Sequence, residues 1–197
     1  MSALRAIRER RGYFLLAAAV IVVDQATKIA ADSLLSREGP VPLIPGLLNL
    51  WYSRNRGGLF GYFAELDDPW RSLLLTLFPI VAVALIAFFL ARAEEHRGTT
   101  LAGLALILGG AVGNLVDRIA RGEVVDFLDA YASWPPLARW LTERFGTVHW
   151  PTFNVADSAI VVGAGLLILD MLRPERAPRE TDPASAPEPP TPAGGAE

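Results

Sequence analysis

The chain has 197 residues, 52% of them hydrophobic, with a formal net charge of −3 and no cysteine. So small a charge, on basic residues that are scattered rather than gathered into a stripe, argues against nucleic acid as a partner. The lack of cysteine excludes disulfides, thiolate metal sites and a cysteine nucleophile. A mean hydropathy of +0.33 is high for a soluble domain of this length, so the apolar residues must be concentrated in segments.

Residues 1–12 form a basic N-terminus carrying Arg5, Arg8, Arg10 and Arg11. Four apolar stretches follow, at about 13–31, 72–91, 99–116 and 155–172. Each approaches the roughly 20 residues that cross a hydrocarbon core of about 30 Å, and in lipid each must be a helix. The first connection, 32–71, holds aromatic and apolar segments at 47–52 and 59–63 around Arg54, Asn55, Arg56, Gly57 and Gly58, which reads as two short strands joined by a turn. In the second long connection, 117–154, Val124, Val125, Phe127 and Leu128 suit another strand. Trp134, Pro135, Pro136, Arg139, Trp140 and Arg144 suit a short amphipathic helix at the membrane interface. The tail 173–197 is rich in Pro, Ala and Glu and is expected to be disordered.

Arginines precede the first span, Arg92 and Arg97 lie between the second and third, and Arg173, Arg176 and Arg179 follow the fourth. The positive-inside rule therefore puts both termini in the cytoplasm and both long connections outside. A cleaved signal peptide is the alternative for the N-terminus, but its apolar run continues through Asp24 and Lys28 into a full span.

An ionised side chain near a bilayer centre costs about 2.5–3.5 kcal/mol, so charges in spans are functional candidates. Asp24 and Lys28 share a face of span one, Asn114, Asp117 and Arg118 close span three, and Asn154 and Asp157 open span four. With alternating span directions all of them converge on the external face, while Asp170 is the nearest case at the inner ends. Each has a structural reading beside the functional one. Asp24 with Lys28 suits a simple ion pair, and Asp117 with Arg118 an interfacial one. Asn154 and Asp157 have the spacing of a helix N-cap and its third-position acid. Gly109, Gly110 and Gly113 suit close helix packing. Asp126, on no span, reads by default as a solvated loop acid, and His149 alone is too little for a zinc site.

Taken together, the segments 24–28 (Asp-Gln-Ala-Thr-Lys), 55–60 (Asn-Arg-Gly-Gly-Leu-Phe), 109–118 (Gly-Gly-Ala-Val-Gly-Asn-Leu-Val-Asp-Arg), 124–127 (Val-Val-Asp-Phe) and 153–158 (Phe-Asn-Val-Ala-Asp-Ser) resemble the motifs of the lipoprotein signal peptidases, or signal peptidase II. The resemblance implies an all-α integral membrane protein of four transmembrane helices, with a small extracytoplasmic β-cradle and a short interfacial helix. It implies an aspartyl endopeptidase of the bacterial cytoplasmic (inner) membrane that removes the signal peptide from diacylglyceryl-modified prolipoproteins, cleaving before the lipidated cysteine. The catalytic pair falls on Asp126 and Asp157. Asp24, Lys28, Asn55, Gly57, Asn114, Asp117, Arg118 and Asn154 fall on positions that support or line the site. No metal or cofactor is implied, the partners are the lipidated substrate and membrane lipid, and the expected state is a monomer. The chain departs from the pattern at Gly58 and Leu59, where the family commonly has alanine.

Three other functions compete. A Ser–Lys peptidase would use Lys28 as base, yet Asp24 one turn earlier would keep it protonated. A transporter or proton pathway would distribute polar groups across both leaflets, and a non-catalytic assembly partner would use the loop strands for binding.

Overall fold

The computed structural model describes residues 10–56, 68–92 and 97–173. Within them, helix α1 covers Arg11–Leu35, α2 Asp68–Arg92, α3 Gly98–Arg121, α4 Pro135–Phe145 and α5 Val155–Met171, with strands β1 Val41–Ile44, β2 Leu48–Asn55 and β3 Val124–Ala130. The segment Leu73–Arg92 of α2, together with α1 and α3, is long and apolar enough to cross a membrane. The fourth expected span, α5, is an apolar helix of 17 residues, at the short end of what a bilayer requires. Residues 174–197, and the expected strand at 59–63 with Gly57 beside it, lie outside the described residues.

Helix α3 is the hub, packed against α1, α2 and α5. Its glycines allow backbones to meet. A Cβ on Gly110 would stand 2.3 Å from the carbonyl oxygen of Ala156, and one on Gly103 would stand 2.8 Å from that of Gly163, so α3 and α5 touch main chain to main chain. Leu90 of α2, Ala17 of α1 and Leu101, Ala105 and Leu108 of α3 form the apolar core at the other end. Beyond it Thr99 and Thr100 donate to Asp170, which also pairs with Arg97 at 3.6 Å, tying the start of α3 to the end of α5. The outward faces are apolar, with Phe78 75% exposed and Val161 70%, a surface suited to hydrocarbon rather than water.

Helix α3 runs five residues past its expected end at Val116, to a left-handed Gly122 whose N–H bonds to Arg118. Residues 117–121 read as loop in sequence, but Asp117 is buried there, its carboxylate paired with Lys28 of α1, while Ile119 stays exposed. The sheet has the order β1–β2–β3 and is antiparallel throughout. Its edge strand β1, short and holding Pro42, gave no signal in the sequence, and proline is admitted at such edges. Strand β2 carries one extra residue between Leu50 and Ser53, after which Ser53 pairs with Asp126 and Asn55 with Val124. The expected strand around Val124 extends through Ala130, and the amphipathic helix forms as α4, its Trp140 and Phe145 exposed.

Candidate active site

The buried residues of α1 are Ala17, Asp24, Lys28 and Ala31, spaced by seven, four and three so that they form one stripe facing α3. Lys28 is fully buried, and its ammonium has three acceptors: Asp24 Oδ2 at 2.9 Å, Asp117 Oδ2 at 2.9 Å and Asn114 Oδ1 at 2.8 Å. An ammonium carries three protons, so the set is complete. Asp24 Oδ1 accepts the backbone N–H of Ala156 at 3.0 Å, and Asp117 Oδ2 that of Val125 at 3.2 Å. The lysine thereby joins α1 and α3 directly, and α5 and β3 through its two carboxylates. The ion pair expected of Asp24 and Lys28 is present as part of this larger unit. The pairing of Asp117 with Arg118 is not: Asp117 pairs with Lys28 and with Arg121, because neighbours on a helix diverge while residues four apart share a face.

A second group sits beside the first. Asp126, on β3, is 2% exposed rather than solvated. Asn154 donates to its Oδ1 at 2.7 Å and Asn55, at the end of β2, to its Oδ2 at 3.2 Å. Asn154 also caps α5: its Oδ1 accepts the N–H of Asp157 at 3.0 Å while Asp157 Oδ2 accepts the N–H of Asn154 at 3.2 Å. The capping role and the site role are therefore one geometry. Asn114 closes the circuit, donating to Asp157 Oδ1 at 2.8 Å. Burial, and then the charge of Asp157, push the Asp126 carboxyl up to about 7, against the opposing pull of the two asparagine donors and Lys28.

Arg118 is half-buried and interacts electrostatically with Asp157, Asp126 and Asp117. Of the expected site residues, then, Asp24, Lys28, Asn55, Asn114, Asp117, Arg118, Asp126, Asn154 and Asp157 come together, while Gly57 lies outside the described residues. Sequence reasoning missed Gln25, Arg121 and Glu123. Gln25 donates to Asp24, Asp117 and the Gly113 carbonyl, each at 3.1 Å. Glu123 takes Arg54 at 2.5 Å and Arg56 at 2.8 Å, gripping both neighbours of Asn55; these guanidinium contacts, Arg56 foremost, hold its carboxyl below the usual range. Gln25 stands within the 24–28 segment and Glu123 directly precedes 124–127, which was the available signal.

Bilayer-length helices that bury a lysine, two asparagines and several aspartates at the root of a small sheet define a membrane protein with an enclosed polar centre, the build of a membrane enzyme. The family model for signal peptidase (SPase) II matches residues 16–173, and the chain belongs to that family of peptidases. It is 42% identical to the lipoprotein signal peptidase of Geobacter metallireducens over 166 residues, 84% of this chain and 93% of that one. To the lipoprotein signal peptidase of Geobacter sulfurreducens it is 43% identical over 156 residues, 79% and 88% of the two chains. A solved bacterial membrane enzyme, determined in meso at 2.3 Å resolution, superposes with a TM-score of 0.66 at 26% identity, over 82% of this chain and 87% of that one.

Proposed function

We propose that the protein removes the signal peptide from diacylglyceryl-modified prolipoproteins by aspartyl catalysis, with Asp126 and Asp157 as the reacting pair. The observation that carries this reading is the placing of the two carboxyls: one Asn154 side chain donates to Asp126 and accepts from the Asp157 backbone, at 2.7 and 3.0 Å. Family membership supports the substrate class.

Charge balance supports one shared proton. Among the described residues the centre gathers the carboxyls of Asp24, Asp117, Asp126 and Asp157 against the cations Lys28, Arg118 and Arg121, so a single proton on the pair brings the sum to zero. Two adjacent carboxyls that hold one proton between them can divide the work of hydrolysis. The ionised member takes a proton from water as the oxygen attacks the scissile carbonyl. The protonated member donates to the carbonyl oxygen, stabilising the tetrahedral intermediate, and a proton then passes to the leaving nitrogen as the C–N bond breaks. Lys28 touches neither acid; it fixes Asn114, Asp24 and Asp117 around them.

In this reading α5 is the fourth span, both termini lie in the cytoplasm of a bacterium, and the sheet and α4 stand at the outer face of the inner membrane. There a lipid-anchored cysteine would present the bond on its N-terminal side. The protein acts as a monomer. The test is incubation of the purified protein with a diacylated prolipoprotein beside Asp126→Asn and Asp157→Asn, in which both variants are stable and inactive. Turnover retained by either one overturns the assignment.

A further inference from the structure

Residues 148–153 lead from α4 to the first turn of α5 and run antiparallel beside β3. Ala132 N donates to Val148 O at 3.1 Å, and Trp150 N to Ala130 O at 2.8 Å. Phe153 N donates to Leu128 O at 3.0 Å, and Phe153 O accepts from Leu128 N at 2.8 Å and Phe127 N at 3.0 Å. This pairing decides where Asn154 and Asp157, next along the chain, stand against Asp126 on β3. It is interrupted in the middle. Pro151 has no N–H to give, and the step from Trp150 to Phe153 spans one residue more than the facing step from Ala130 to Leu128. Register is weakly specified across such a gap.

A side-chain contact fastens it. His149 Nδ1 lies 2.8 Å from Asp129 Oδ1, on a carboxylate 1% exposed whose other oxygen accepts from Asn49 at 3.0 Å. Asn49 is the residue facing Asp129 across β2 and β3. The His149 ring stacks on Tyr131, with centroids 5.5 Å apart and planes at 23°, and meets Trp51 edge-on at 6.0 Å. The imidazole is thus held by two strands at the point where the backbone ladder weakens. Strand alternation puts Asp129 on the face opposite Asp126, so the histidine does not enter the reacting centre.

We infer that Asp129 and His149 are positioning residues for the reaction: their contact pins the register of 148–153 on β3 and so holds Asp157 in place against Asp126. The inference rests on those two aspartates being the reacting pair. Misplacing a reacting group by about 1 Å costs on the order of 100-fold in rate, whereas binding of a long lipidated substrate is spread over many contacts. The loss should therefore fall on kcat.

The experiment measures kcat and KM on a diacylated prolipoprotein for the purified full chain and for His149→Ala, His149→Asn, Asp129→Ala and Asp129→Asn, with Asp126→Asn alongside. His149→Ala should lose at least about tenfold in kcat with KM changed less than about twofold. His149→Asn, whose amide can donate from near the position of Nδ1, should recover most of the loss, and Asp129→Asn, which keeps an acceptor, should exceed Asp129→Ala. Full turnover by His149→Ala overturns the inference, as does equality within the Ala and Asn variants of both positions, which would leave only loss of packing. An active Asp126→Asn protein would instead overturn the reacting pair, and the His149 comparison is read independently of it.

Discussion

The Lys28 ammonium donates to the carbonyl oxygen of Asn114 at 2.8 Å, and that contact decides which end of the amide faces Asp157. With its oxygen taken by Lys28, and also by Asn154 at 3.2 Å, the Asn114 amide nitrogen is left to donate to Asp157 at 2.8 Å. A buried lysine thereby orients a donor toward an acid it never touches. Asn114→Ala removes the donor while the Lys28 ion pairs with Asp24 and Asp117 remain. Loss of one preorganised donor should lower kcat by about 100-fold with a smaller effect on KM. Steady-state kinetics on a lipidated substrate check this, and an unchanged kcat would show that Asp157 does not need the amide.

Removing Lys28 itself should be felt in folding before catalysis. Lys28→Ala leaves Asp24 and Asp117 buried and facing each other without the cation. Breaking a buried pair from one side costs about 3–5 kcal/mol, so the variant should unfold at a markedly lower temperature in detergent. Lys28→Arg should not restore stability, since a planar fork cannot serve three acceptors arranged around one point. A thermal midpoint equal to that of the parent in Lys28→Ala would contradict the central role given to this ion.

Stability and activity should both respond to pH through Asp126. Its folded carboxyl is raised to about 7, above the value in an unfolded chain, so the folded state retains a proton that the unfolded state releases. That contribution to stability is fully present below the unfolded value and is lost as pH rises through about 7. Asp126→Asn lacks the titration, so its unfolding midpoint should exceed that of the parent at alkaline pH and converge with it in acid. For the parent, kcat/KM should fall as pH rises past about 7, when the pair loses its one proton. A kcat/KM that stays level through that region would remove the shared proton from the mechanism.

What the sequence made legible follows the range of each interaction. Hydropathy marks the spans because lipid imposes a continuous apolar run, and Asp24, Lys28 and Asp157 stand out because they interrupt or border one. The same pattern marks α5, expected at about 155–172 and observed as Val155–Met171, but not the extension of α3 to Arg121. In α3 the residue just past the apolar run, Asp117, is buried by its pairing with Lys28 of α1, which no local pattern can announce. Asp126 was found only through its motif, since nothing in a run of four apolar neighbours says that Asn55 and Asn154 will reach it. Gln25, Glu123 and the Asp129–His149 contact were missed for the same reason: Gln25 meets its partner Asp117 across 92 residues, and Arg54 meets Glu123 across 69.

The spacing of α3 against α5 should be as important to activity as any polar contact. A methyl group on Gly110 would stand 2.3 Å from the carbonyl oxygen of Ala156, a backbone atom in the first turn of α5, between Asn154 and Asp157. Gly110→Ala must therefore push the helix start outward, and with it the Asp157 carboxyl away from Asn114 and Asp126. Overpacking of this kind costs about 1–3 kcal/mol, and the displaced acid adds a loss of turnover that exceeds what reduced stability explains. Gly165→Ala is the control: it lies on the same helix as Asp157, has open space where its Cβ would go, and should leave kcat unchanged. Comparing kcat at a temperature where both variants are fully folded separates the two effects. Equal turnover in Gly110→Ala and Gly165→Ala would mean that the site tolerates movement of α5, and that the acids are placed by the sheet alone.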